Sequence, residues 1–207
     1  MLIKPDVKRI ARIKLVGIGG AGCNAITTML GGERIEGVEF IAVNTDAQAL
    51  LSNKAETKLQ IGDKVTRGLG AGGNPDVGKN AAEESREKIK EYLEGADLVF
   101  ITTGMGGGTG TGASPIIAEV AKETGALTIA VATKPFLFEG SRRMFVANDG
   151  IEKLKEKVDA LITIPNQKIL EFGDKQITLV NAFKEIDSVL RQGVKGLAEI
   201  ITLSGLI

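Results

Sequence analysis

Apolar positions along the chain fall in short runs separated by longer amphipathic stretches. Arg12-Ile-Lys-Leu-Val-Gly17 alternates and then turns apolar, the pattern of a strand entering a buried sheet. Val38 to Asn44, Asp97 to Thr103, Ala126 to Thr133 and Asp159 to Ile164 read as further strands. Between them, Ala25 to Leu30 reads as a short helix. Asp76 to Leu93 reads as a charged amphipathic helix, with Val77, Ala81, Ile89 and Leu93 along one face. Another helix is expected to start at Pro115, where a missing N–H costs nothing, and to end at Gly125. Val180 to Leu203 carries helical periodicity through Phe183, Val189, Leu190, Val194, Leu197, Ile200 and Ile201. Strands alternating with helices predict an α/β fold, a Rossmann-like three-layer domain with a mostly parallel sheet. In such sheets a ligand lies at the carboxyl ends of the strands.

The glycines sharpen this picture. Over half of the 27 fall in Gly17-Ile-Gly-Gly-Ala-Gly22, Gly68-Leu-Gly-Ala-Gly-Gly73 and Gly104-Met-Gly-Gly-Gly-Thr-Gly-Thr-Gly112. Each window leaves a predicted strand or precedes a helix, so all three can converge on one sheet edge. A glycine loop feeding a helix start points bare backbone N–H groups at an oxyanion, and the helix dipole adds attraction. The last window combines six glycines with two threonines and has no Asn or Asp, which is poor turn chemistry and good phosphate chemistry. Gly17-x-Gly19-x-x-Gly22 alone fits a dinucleotide fingerprint, with Asp46 about where a ribose-binding acid would lie. A nicotinamide-dependent oxidoreductase is therefore an alternative, but it leaves two glycine windows unexplained. The Gly-Lys-Ser/Thr of the common P-loop is absent, as is the Asn-Lys-x-Asp of small G proteins. Three loops suit a nucleoside triphosphate site of another design.

Composition narrows the chemistry. The 26 basic residues balance the 26 acidic ones, so there is no electrostatic footprint for nucleic acid. Histidine is absent and Cys23 is the single cysteine, which excludes histidine-based nucleophilic catalysis and any intrachain disulfide. Cys23 reads as a small filler in a tight loop, although a helix start could lower its pKa. Lys4, Lys8, Arg9, Arg12 and Lys14 precede an apolar stretch of four residues, Leu15 to Ile18, too short for a secretory signal. No run reaches membrane-spanning length. The chain reads as cytoplasmic, with no direct membrane insertion.

The nine residues from Gly104 to Gly112 resemble the signature loop of the tubulin superfamily, in the form carried by FtsZ, the tubulin-like prokaryotic cell-division GTPases. Gly19-Gly-Ala-Gly-Cys-Asn24, Asn44-Thr-Asp46, Thr66-Arg-Gly-Leu-Gly-Ala-Gly-Gly-Asn-Pro75, Pro135-Phe-Leu-Phe-Glu-Gly140 and Ile164-Pro-Asn166 resemble FtsZ segments in family order. The resemblance implies GTP or GDP as ligand, with Mg2+ bridging the phosphates and Asp46 a possible neighbour of the metal. It places Gly20, Ala21, Gly22, Cys23 and Asn24 on the nucleotide through the first loop. Ala71, Gly72 and Gly73 would lie near the γ-phosphate, and Gly104, Gly107, Gly108, Thr109 and Gly110 would wrap the phosphates. Glu139 and Arg143 would hold the ribose side, and Asn166, Phe183 and Asp187 the guanine. Phe183 and Asp187 lie four apart, on one helical face. A core Phe beside a solvated Asp is the commoner case for such a pair, and the resemblance reverses that reading.

The same resemblance divides the chain into a nucleotide-binding domain over 1–178 and a central helix over 179–207. That helix would lead to a second domain that is absent here, by way of an acidic loop. The charge-free end, Ile200 to Ile207, reads as a cut. In the family that loop enters the next subunit's site and positions the attacking water, so no catalytic residue is expected within this chain. It is expected to bind GTP and turn it over slowly by itself. Self-association in filaments at the division site is implied, with tethering partners that bind a C-terminal tail. An assembly module without turnover is the remaining alternative.

Overall fold

The computed structural model describes residues 11–32, 37–172 and 179–202. Lys4, Lys8, Arg9, the residues from Leu203 onward, and the side chains of Phe183, Leu190, Leu197, Ile200 and Ile201 lie outside that description.

The first half runs β1 (Ile13–Ile18), α1 (Gly19–Leu30), β2 (Val38–Asn44), α2 (Ala47–Leu51), β3 (Thr57–Gln60), α3 (Asp63–Thr66), α4 (Pro75–Glu84) and α5 (Arg86–Leu93). The second runs β4 (Leu98–Gly104), α6 (Thr109–Glu123), β5 (Leu127–Lys134), α7 (Ser141–Lys155), β6 (Ala160–Pro165), α8 (Asn166–Phe172) and α9 (Leu179–Thr202). The six strands form one sheet in the order β3-β2-β1-β4-β5-β6, and every neighbouring pair is parallel. The sheet is thus the α/β arrangement expected from the alternating pattern. Its order reverses between β1 and β4, whose registers run Leu15 beside Phe100 and Val16 beside Ile101. A crevice must open there, because the connections leave β1 and β4 in opposite directions.

Period-two alternation sends neighbouring residues to opposite faces. Val16, Val99 and Ile101 bury with Ala81, Ile89 and Ile117 of α4, α5 and α6. Leu15, Phe100 and Val131 bury with Ile26 and Met29 of α1 and with Ala182, Ile186 and Val194 of α9. Helices cover both faces, which is why the central strands read as nearly continuous apolar runs.

Three helices depart from their expected bounds. The stretch 76–93 is two helices, broken at Ser85, whose hydroxyl accepts the Gly62 amide at 2.9 Å. The helix expected from Ala25 begins at Gly19, so Gly19 to Gly22 of the glycine window form its first turn. Likewise α6 begins at Thr109, and Pro115 sits inside it rather than at its start. The interior proline removes one backbone donor. Nearby, the Ser114 hydroxyl donates to the Gly110 carbonyl at 2.6 Å, holding that part of the helix on its glycine end. α2, α3, α8 and β3 are too short for a periodicity to reveal them.

Candidate functional site

Strand β1 passes into α1 without a connecting loop. The N-cap position, Ile18, has no side-chain hydrogen bond to the helix start, and the first turn holds no acid. α6 is built the same way, with Gly108 as its uncapped entry and no acid in its first turn. Each helix start carries backbone N–H groups without an intrahelical partner. Both starts sit at the carboxyl ends of β1 and β4, on either side of the switch point.

Missing side chains let these starts touch. Gly19 is left-handed (φ +70°), and a Cβ there would lie 2.8 Å from the Gly110 amide nitrogen. A Cβ on Gly110 would lie 2.5 Å from the Gly104 carbonyl oxygen. The Thr45 and Thr109 hydroxyls share a hydrogen bond of 2.7 Å, tying the end of β2 to the start of α6. The Gly106 amide donates to the Thr111 hydroxyl at 2.9 Å and folds the 105–108 loop back over the helix. The result is two helix starts held in contact, each with backbone N–H groups that lack an intrahelical partner and a positive dipole end.

Above this floor lies a cleft of about 490 Å³. Gly20, Ala21 and Asn24 from α1 line it, with Gly104, Gly107, Gly108, Thr109 and Gly110 from the signature loop. Glu139 and Arg143, four residues apart, close its sides together with the more distant Asn166 and Asp187. Glu139 accepts from the Phe136 amide at 2.8 Å through one oxygen and from the Arg143 guanidinium at 2.7 Å through the other. Asp187, on α9, is half-buried and accepts from the Thr28 hydroxyl at 2.9 Å. Burial pushes its carboxyl above the ordinary value, partly offset by that hydrogen bond.

Thr102, Thr103, Met105, Gly106, Thr133, Pro135 and Ile186 also line the cleft and were not anticipated. A signal for the threonines existed: polar residues lie near the ends of two largely apolar strands, Thr102-Thr103 in β4 and Thr133 in β5. Among the described residues, the buried Thr102 and Thr103 hydroxyls and the Asn166 side-chain oxygen have no hydrogen-bond partner. Buried polar atoms are rarely left so. Their gathering in one cleft marks a place where a polar ligand completes the structure.

Other predicted residues lie outside the cleft lining. Gly22 packs where a Cβ would strike the Thr102 carbonyl oxygen. Cys23 is buried behind it, its thiol 3.5 Å from the carbonyl oxygens of Gly17 and Val43. Burial pushes that thiol up to about 12, the opposite of a thiol activated by a helix start. Ala71 backs the signature loop: a Cβ on Gly108 would lie 2.8 Å from the Ala71 Cβ. Gly72 and Gly73 follow it in left-handed conformations with open space around them. Asp46 caps α2, accepting from the Gln48 and Ala49 amides at 2.9 and 3.0 Å, and pairs by backbone with Leu69. Phe183 belongs to α9, and its side chain is outside the described residues.

A fully parallel sheet with two bare helix starts at its switch point defines an α/β domain built to cradle an anionic ligand. The Tubulin/FtsZ family model, GTPase domain, matches residues 12–174, and the chain belongs to that family. A solved structure of FtsZ from M. jannaschii, described as an empty dimer, is 53% identical with a TM-score of 0.89. That match covers 95% of this chain and 57% of the other, so the chain spans well under two thirds of that relative. CetZ from Methanosaeta thermophila is 26% identical, with a TM-score of 0.79 over 95% of this chain and 56% of its own. CetZ2 from Haloferax volcanii, solved as a protofilament with GTPγS bound, shares the fold at 22% identity. Its TM-score is 0.80, over 90% of this chain and 58% of that one. The nicotinamide alternative finds no support in these likenesses. Among the described residues no helix is long and apolar enough to cross a membrane.

Proposed function

We propose that this chain binds GTP and GDP as the nucleotide domain of a self-assembling, FtsZ-type GTPase working at the division site in the cytoplasm. The observation that carries the reading is the meeting, in one cleft, of two uncapped helix starts and a half-buried carboxylate on α9. The paired helix starts suit a polyphosphate. Glu139 and Arg143 suit the ribose between, and Asp187 suits the N1–H and amino group of guanine. Adenine lacks an N1–H and would leave that carboxylate unpaired, so the acid discriminates against ATP. Mg2+ suits this site as an ion held mainly by phosphate oxygens. Asp46 lies outside the cleft lining but follows Thr45, whose hydroxyl is tied to Thr109, and is the acid we propose as a neighbour of the ion.

Titration with GTP, GDP, ATP and NAD tests this. Guanine nucleotides should bind most tightly, and Asp187→Ala should erase the preference. Equal binding of ATP, or a preference that survives Asp187→Ala, overturns it.

Hydrolysis needs a group that positions the attacking water. Both oxygens of Glu139 are engaged, and Asp187 sits on α9 beside Thr28, near the third turn of α1 rather than at its start. We infer that turnover draws its water-positioning carboxylate from an adjacent subunit in a filament, through a loop following α9, while tethering partners engage a C-terminal tail. The chain by itself should release phosphate slowly. Mixing it with a longer, acidic-loop-bearing subunit should raise the rate, and an unchanged rate counts against the scheme.

A further inference from the structure

On α1, Gly20, Asn24 and Thr28 follow one another at intervals of four and so share one face of the helix. The first two line the cleft. Thr28 does not. Its hydroxyl instead donates to Oδ2 of Asp187 at 2.9 Å, across to α9. A hydroxyl has a single proton, so this bond fixes the direction of donation. No hydrogen bond holds Oδ1 of Asp187 among the described residues.

A carboxylate turns easily about its terminal torsion, which has broad minima. Left alone, Asp187 could present either oxygen, or neither, to a neighbouring base. Thr28 removes that freedom: it takes one lone pair of Oδ2 and leaves Oδ1 and the second lone pair of Oδ2 as acceptors in a residue that lines the cleft. Two acceptor sites side by side match two adjacent donors, the arrangement found on the N1–H and amino edge of guanine. α1 thereby spans the ligand. Its first turn offers amides to the phosphates, and its third turn sets the base reader, about 12 Å farther along the axis.

We propose that Thr28 is a positioning residue for base specificity, acting through Asp187 and not through contact with the nucleotide. This rests on the reading of Asp187 as the acid that selects guanine. Thr28 is exposed, so replacing it leaves the core untouched.

The test uses the 207-residue chain and fluorescent GDP and ADP analogues, with affinities compared for the wild type, Thr28→Val, Thr28→Ser, Thr28→Ala and Asp187→Ala. Thr28→Val keeps the branched shape and removes the hydroxyl, and the preference for GDP over ADP should fall about tenfold. Thr28→Ala should fall alike, which keeps the result readable if either variant folds poorly. Thr28→Ser restores the donor and should keep the preference to within about twofold. A Thr28→Val preference equal to wild type, or a Thr28→Ser loss as large as that of Thr28→Val, overturns the role of Thr28. If the preference also survives Asp187→Ala, the reading of Asp187 falls with it; if Asp187→Ala abolishes it, that reading stands alone.

Discussion

At the scale of single residues, the site is held at a cost to the unliganded fold. Burial raises the pKa of Asp187, so its contribution to stability is most favourable below the ordinary aspartate value of about 3.9 and is lost as pH rises through the raised folded value. At neutral pH the charged carboxylate is a net cost, tolerated because Thr28 and, on our reading, a bound base satisfy it. Asp187→Asn should therefore raise the melting temperature of the nucleotide-free chain at pH 7 and leave it nearly unchanged in acid. A variant that melts lower at pH 7 would contradict this. Residue spacing showed Asp187 as one member of a helical pair, but its partner Thr28 lies 159 positions away and left no trace in the pattern. Cys23 shows the reverse case. Its place after a glycine turn is legible in the sequence, whereas its burial between β1 and β2 is settled by packing.

At the scale of elements, α6 depends on glycine for closeness as well as for its bare start. A Cβ on Gly112 would collide with the Pro75 carbonyl at the head of α4, whereas one on Gly107 would meet nothing within 4 Å. Both glycines belong to the same signature window, so sequence alone treats them alike. Gly112→Ala should force α4 from α6 and cost about 1–3 kcal/mol, as other overpacked interiors do. Gly107→Ala should leave the urea midpoint near that of the wild type. Equal midpoints for the two variants would show that the seam between α4 and α6 can yield. The nine-residue loop expected between β4 and its helix is only the segment 105–108, because Thr109 to Gly112 are already helical. Glycine's weak helix propensity disguised a helix that tertiary contact holds in place.

At the scale of the whole molecule, an ion-pair network closes the end of α6 away from the cleft. Glu119 meets Arg86 of α5 at 2.8 Å and also Lys157 beyond α7, and Arg86 reaches Glu123. One turn away Lys122 pairs with Asp159, which accepts the Thr128 amide at the start of β5. α6 is thus anchored by glycine contacts at one end and by charges at the other. The hydrogen bonds from Lys157 and Arg86 hold the Glu119 carboxyl below its ordinary value. That stabilisation is present above the ordinary glutamate value of about 4.3 and is lost as pH falls through the depressed folded value. Glu119→Gln should lower the melting temperature at neutral pH and flatten its decline in acid. An identical acid limb in wild type and variant would assign no role to the network.

The order of strands and helices, the apolar faces of the sheet and the glycine windows are local properties, set by side-chain period and by the absence of Cβ atoms. They were enough to specify a parallel α/β sheet and to predict an anion site at its carboxyl edge. Which glycines face the cleft and which face a neighbouring backbone depended on how α1, α4 and α6 pack around the switch point. So did the gathering of Thr102, Thr103 and Thr133, and the hydrogen bond from Thr28 to Asp187. Those relations join residues that no spacing rule connects, and only closing the chain into three layers brings them within bonding distance.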